Sequence, residues 1–234
     1  MRNLILTGGV RHDFESSTET LVELLARAGI ESESTADIEA GVDRLRSESF
    51  DLLTVMALRW RMDGNPKYAA LRDEFGFSLA AESRSIIENF VRQGGGLFGL
   101  HTACLCFDDW PQWRDILGGA WVWGQSSHPP YGKVSVSPAG LRHLLTRELP
   151  AFQLMDEVYG GLDLSPGTMP LLTANADDGV EQPVLWVREY GQGRVAFDAL
   201  GHDSNSLLQP VHARLVQRCA AWACGCSDEF VQGL

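Results

Sequence analysis

The sequence predicts an α/β fold: an open, mainly parallel sheet flanked by helices, with a β-hairpin toward the C-terminus. Three observations carry that expectation. Short apolar runs alternate with amphipathic helical segments through the first hundred or so residues, as strand and crossover helix do in parallel sheets. The 234 residues, 44% of them hydrophobic, suffice for one core of this kind, so residues 1–234 read as a single domain. Tyr190-Gly191-Gln192-Gly193 separates two strand-like runs and reads as a hairpin turn.

In order, residues 3–7 form an apolar run closed by Gly8-Gly9, a buried strand meeting a loop. Ser16 and Glu19 match a capping box, and Leu21, Leu24, Leu25 and Ala28 repeat at helical spacing before Gly29 stops the helix. A more polar strand over 30–34, a helix over 37–47 and a strand over 52–58 continue the alternation. Residues 59–77 lack a clean period and contain Gly64-Asn65-Pro66, so they are expected to form a long loop over one end of the sheet. A helix over 79–93, with Ile86, Ile87, Phe90 and Val91 inward, ends at Gly94 and leads into a central strand over 96–100. Beyond His101 the chain is aromatic and irregular through Trp110, Trp113, Trp121 and Trp123. Strand-like runs return at 133–136, 169–173, 184–187 and 194–200, and a helix over 210–223 follows.

Composition narrows the partners. With 19 Lys+Arg against 31 Asp+Glu the formal charge is -12, and no basic patch is evident, which argues against nucleic acid and anionic membranes and favours a neutral small molecule or a cation. No window approaches the roughly 18 apolar residues of a membrane span, and the first residues are too short a run for a signal peptide, so a cytoplasmic location is expected. The five cysteines are odd in number and bunched as Cys104/Cys106 and Cys219/Cys224/Cys226, the pattern of reduced thiols and not of a disulfide framework or zinc ribbon. Gly94-Gly95-Gly96 precedes its strand and has no following Lys-Ser/Thr, so neither a P-loop nor a dinucleotide fingerprint is met and no nucleotide cofactor is expected.

Open parallel sheets bind ligands at the carboxyl ends of their strands. Three histidines fall there: His12 beyond the Gly8-Gly9 loop, His101 after the central strand, and His202 after Gly201. His128 precedes Pro129-Pro130 in a loop, and Glu157 and Tyr159 alternate as on one face of a strand. His143 and His212 sit in helix-like stretches and read as structural.

The pattern around His101 is similar to the elbow of class I glutamine amidotransferases, where a strand presents a nucleophile. His replaces the cysteine that forms the thioester, so glutaminase chemistry is excluded. With Thr7-Gly8-Gly9, Arg11-His12-Asp13, His101-Thr102-Ala103, Leu117-Gly118-Gly119, Asp156-Glu157-Val158-Tyr159 and Gly193-Arg194-Val195 to Gly201-His202, the chain resembles the trehalose-utilisation (ThuA-like) family. That resemblance implies a flavodoxin-like, class I glutamine amidotransferase-like fold and a part in catabolism of trehalose or 3-keto sugars. The stretch Trp121 to Gln125 and the pair Cys104/Cys106 depart from the family pattern.

Three functional readings follow. In the leading one, His101 and His202 act as acid and base with Glu157 in support, in an isomerisation, elimination or hydrolysis. His12, Arg11, His128, Tyr159 and Trp123 contact the sugar, and Arg11 or an elbow N–H steadies an enolate oxygen. In the second, His12, His101 and His202, with Glu157 or Asp13, hold a divalent metal such as zinc, as in a metal-dependent hydrolase. In the third, the chain is a non-catalytic sugar-binding module. The aromatic stretch serves equally as cleft wall, core or a contact between copies in a homo-oligomer.

Overall fold

The computed structural model describes residues 1–63, 65–175 and 179–234. Gly64, part of the expected loop turn, lies outside them. The chain opens with β1 (Arg2–Gly8), α1 (Phe14–Arg27), β2 (Glu31–Thr35), α2 (Ile38–Ser47) and β3 (Leu52–Ala57). The cap of α1 is Asp13 and not Ser16: the Asp13 carboxylate accepts the Ser16 N–H at 3.1 Å, which leaves Ser16 inside the first turn.

Within the stretch expected to be a long loop over 59–77, residues 66–75 are more ordered than a loop. A 3-10 turn at Pro66–Leu71 runs into α3 (Arg72–Phe75), with Asn65 accepting the Lys67 N–H at its start. Turns this short have no period to detect, and they are fastened by a small apolar cluster of Val10, Leu58, Trp60 and Met62, separate from the main core. α4 (Ala81–Arg92) follows, burying Ile87 and Val91 fully and Ile86 and Phe90 in part. All of β4 (Gly96–Leu100) is buried.

The remaining elements are α5 (Pro111–Leu117), β5 (Gly119–Ala120), β6 (Gly132–Pro138), β7 (Phe152–Asp156), β8 (Asp163–Leu164), β9 (Met169–Asn175), β10 (Gln182–Tyr190), β11 (Gly193–Asp198), α6 (Ser204–Leu208), α7 (Pro210–Ala223) and α8 (Asp228–Gly233). Nine strands form one sheet in the order β2-β1-β3-β4-β11-β10-β9-β6-β7. The first five run parallel, and from the β10–β11 hairpin onward the pairing is antiparallel. The runs expected at 133–136, 169–173 and 184–187 fall within β6, β9 and β10, whereas β7, five residues that bury one face, was not expected. In the hairpin, Trp186 opposes Phe197 with stacked rings 4.2 Å apart, and the Trp186 indole N–H donates to the Leu117 carbonyl at 2.9 Å. α1 packs with α7, and α2 with α4, covering the parallel half.

All five cysteines are free, and Cys104, Cys106 and Cys219 are buried, where desolvation pushes their thiols up and keeps them protonated. Among the described residues no helix is long and apolar enough to cross a membrane.

Candidate functional site

His101 follows β4 directly and takes a left-handed φ of 45°, a conformation that costs a non-glycine residue energy and persists only when its surroundings hold it. They do. The Thr102 hydroxyl and the Cys106 thiol both donate to the Ala57 carbonyl, at 2.7 and 3.0 Å, and the Trp113 indole donates to the Ala103 carbonyl at 2.9 Å. The turn places the buried imidazole at the carboxyl edge of the sheet. Its Nδ1 lies 2.7 Å from the Ala199 carbonyl, which can only accept, so Nδ1 carries a proton and a neutral ring leaves the Nε2 lone pair facing inward.

His12 arrives over the Gly8-Gly9 turn. Gly9 has φ 146°, and a Cβ there would lie 2.5 Å from the Leu58 carbonyl oxygen, so only glycine lets this loop pass so close to the end of β3. His12 Nδ1 faces the Val10 carbonyl at 3.3 Å, and its Nε2 stands 3.2 Å from His101 Nε2. Burial, then repulsion from His101 and His202, holds its pKa down to about 3, so the ring is neutral at working pH.

His202 comes from the other side, after β11 and Gly201. Its Nδ1 is buried without a hydrogen-bond partner and lies 3.4 Å from Glu157 Oε2. The Glu157 carboxylate raises this imidazole against the opposing effect of burial. Glu157 Oε2 is also 3.6 Å from His101 Nε2. Burial pushes the Glu157 carboxyl up, but His101 and His202 more than reverse that and hold it well below the usual range, so it is ionised.

Glu157 and Tyr159 are not strand residues. β7 ends at Asp156, and both follow in the segment that leaves its edge and turn toward the histidines. Tyr159 is buried, which keeps its phenol protonated, and it donates to His101 Nε2 at 2.8 Å with the two rings stacked 4.5 Å apart. Asp156, quoted from the sequence only as part of the family motif and given no role there, positions two of the others. Its carboxylate accepts the N–H groups of Glu157 (2.7 Å), Gly201 (2.8 Å) and His202 (3.4 Å) and the Ser206 hydroxyl, tying the Glu157 and His202 backbones to one point.

The remaining expected residues divide. Arg11, Trp123 and the exposed His128 border a cavity of about 190 Å³ beside the cluster, with His128 Nδ1 3.6 Å from Glu157 Oε1. Lys67 and Tyr68, which the sequence reading did not single out, border it too. Asp13 is committed to capping α1, and the Asp–metal alternative loses its carboxylate to that role. Trp110 and Trp113 belong to the core, whereas Trp121 and Trp123 line the cavity. His143 caps a 3-10 turn and meets Trp222, and His212 is buried within α7. One ligand atom each from His12, His101, Glu157 and His202 all lie within 4.8 Å of one another.

A family model described as trehalose utilisation, ThuA, matches residues 2–223. The chain belongs to the ThuA family. The family description gives it a sugar-related role. Among solved structures, a putative ThuA-like protein from Parabacteroides merdae ATCC 43184 is 20% identical with a TM-score of 0.76, covering 96% of this chain and 90% of that one. A cytoplasmic protein from Salmonella typhimurium LT2 is 14% identical with a TM-score of 0.60, covering 94% and 98%. A β-galactosidase from Rahnella sp. R3 is 15% identical with a TM-score of 0.60, and the match spans 97% of this chain but 31% of that enzyme. These likenesses show that this ThuA-family chain shares its fold with ThuA-like proteins. No curated protein matches the sequence.

Proposed function

We propose that this ThuA-family protein is a cytoplasmic sugar-processing enzyme in which His12, His101, His202 and Glu157 hold a divalent metal ion such as zinc at the floor of a sugar pocket. The observation that carries the reading is the mutual spacing of the ligand atoms. A tetrahedral ion with bonds of about 2.0–2.1 Å has ligand-to-ligand edges of about 3.3 Å. Three of the six separations are 3.2, 3.4 and 3.6 Å, and all lie within 4.8 Å. Two nitrogen lone pairs aimed at each other repel unless a proton or a cation lies between them, and the second nitrogens of His12 and His101 face backbone carbonyls, as the outer partners of metal-bound histidines do. The set of three imidazoles and one carboxylate suits zinc and other first-row divalent ions.

When bound, the ion would polarise a sugar carbonyl or hydroxyl, or a water. The other groups belong to the chain. With His101 Nε2 given to an ion, the Tyr159 phenol O–H that now donates to it would stand free as a proton donor beside the site. His128 stands exposed at the mouth, its Nδ1 3.6 Å from Glu157 Oε1. The second reading, metal-free acid–base chemistry by His101 and His202 with Glu157, draws on the Tyr159 hydrogen bond to His101 and the His202 contact with Glu157.

The test is turnover of 3-keto glucosides, with loss of substrate followed by NMR. Chelation is expected to abolish turnover, zinc or manganese to restore it, and His101→Asn, which tolerates the left-handed backbone, to abolish it with or without metal. Full turnover by protein stripped of metal refutes the metal reading and leaves the acid–base one.

A further inference from the structure

The cavity beside the cluster is small, and it is built differently on its three sides. At about 190 Å³ it is of a size for one sugar ring, and Leu105, Trp121 and Trp123 also border a neighbouring cleft. One wall is aromatic. Trp123 stacks on Trp60 at 5.7 Å and 22°, and Tyr68 meets them edge-on at 5.9 and 5.0 Å. Its support is the separate apolar cluster around Trp60 and Met62, so the wall does not borrow its rigidity from the main core. An aromatic face presented in this way suits the C–H face of a pyranose.

The rim is cationic. Arg11 and Lys67 both border the cavity and are exposed, and neither has an ion-pair partner among the described residues. Lys67 is held at that rim, its ammonium 5.4 Å from the Tyr68 ring centroid. Elsewhere Arg2, Arg44, Arg84 and Arg114 are matched by carboxylates while Arg142, Arg147, Arg194 and Arg214 have no ion pair among the described residues, so what marks Arg11 and Lys67 is their shared place at the cavity. Among the described residues, the sole carboxylate bordering the cavity is Glu157, which faces the histidines. The local field therefore opposes the global charge, and local field governs which ligand a cleft concentrates.

We infer that the site takes a single-ring sugar bearing an anionic group, a carboxylate or a phosphate, with its ring on Trp123 and its anion between Arg11 and Lys67. The placement of the reacting end at the histidines rests on the metal reading above, while ring size and charge preference do not. This proposal departs from the neutral small molecule or cation expected from overall composition.

Calorimetric titration of the zinc-loaded and the chelated protein with glucose 6-phosphate, glucuronate, glucose and trehalose tests this. At least one of the two anions is expected to bind about tenfold or more tightly than glucose, since hydrogen bonds to charged groups contribute on that scale. The anion that wins identifies phosphate or carboxylate as the group recognised. Trehalose is expected to bind no tighter than glucose. In the double variant Arg11→Gln, Lys67→Gln, the advantage of the anion disappears while circular dichroism and metal content stay unchanged. Glucose or trehalose binding as tightly as both anions overturns the inference, as does a double variant that keeps the preference or an absence of binding by either anion at millimolar concentration. Failure of the metal reading shows separately, as absence of metal in elemental analysis, because the charge preference is scored in both states.

Discussion

At His212 both ring nitrogens are engaged inside the protein, Nδ1 on the Ser206 carbonyl at 2.7 Å and Nε2 on the Asp198 carboxylate at 3.1 Å. At His12 and His101 one nitrogen is engaged with a backbone carbonyl in the same way, and the other points at a neighbouring imidazole, with the Tyr159 hydroxyl also donating to His101 Nε2. The two clusters share residue types and lie either side of the same loop, joined through Ser206 and Asp156. Burial does not separate them, since His101 and His212 are both buried. The destination of the second nitrogen does. His212 is a brace whose hydrogen bonds close on themselves, whereas His12, His101, His202 and Glu157 bring ligand atoms within 4.8 Å of one another, an arrangement that a cation would stabilise.

The largest effect that separates them is on stability. His212→Ala leaves Asp198 buried without its ionic partner, and removing one member of a buried pair costs about 3–5 kcal/mol. Urea unfolding is expected to show that loss, and a cost under about 1 kcal/mol would mean that the brace is dispensable. His202→Ala inverts the pattern. Its unfolding midpoint is expected to change little, while zinc affinity falls by more than the ~10–100-fold that supporting groups command.

Asp156→Asn probes the junction between the clusters. With one acceptor oxygen in place of two it cannot hold Gly201, His202, Glu157 and Ser206 together, so zinc affinity is expected to drop within that ~10–100-fold range. An unchanged affinity would remove Asp156 from the site's supporting structure.

The smallest effects are the pH slopes of stability in the metal-free protein, which run in opposite directions. His12 is held below its unfolded value, to about 3, so the unfolded chain binds its proton first and stability falls as pH drops below about 6.5. Burial pulls His212 down, but Asp198 and the Ser206 carbonyl more than reverse it. Its folded pKa therefore lies above the unfolded one, and its contribution is complete below about pH 6.5 and is lost as pH rises through the raised value. His12→Gln should flatten the acidic limb alone and His212→Gln the alkaline limb alone; the same limb changing in both variants would break the assignment.

How far the sequence could be read follows the same division. His12, His101 and His202 were legible because each stands just beyond a strand of the parallel half, where ligands of open sheets bind. The hairpin was legible from its two glycines. Asp156, Ser206, Asp198 and His212 were not, because their partnership joins β7, α6, β11 and α7 and exists only once the sheet has formed. Lys67 and Tyr68 sat in a stretch without period, and their place at the cavity comes from packing on Trp60. Glu157 and Tyr159 share the side that strand alternation implied, yet they do so in a loop.

The most direct test is the metal stoichiometry of the wild-type chain. Protein stripped with a chelator and titrated with zinc by calorimetry, with elemental analysis of the product, is expected to bind one ion per chain. The site should persist in His143→Ala and disappear when His12, His101 and His202 are replaced together. A wild-type chain that takes up no zinc, or a triple variant that takes up as much, would contradict the account.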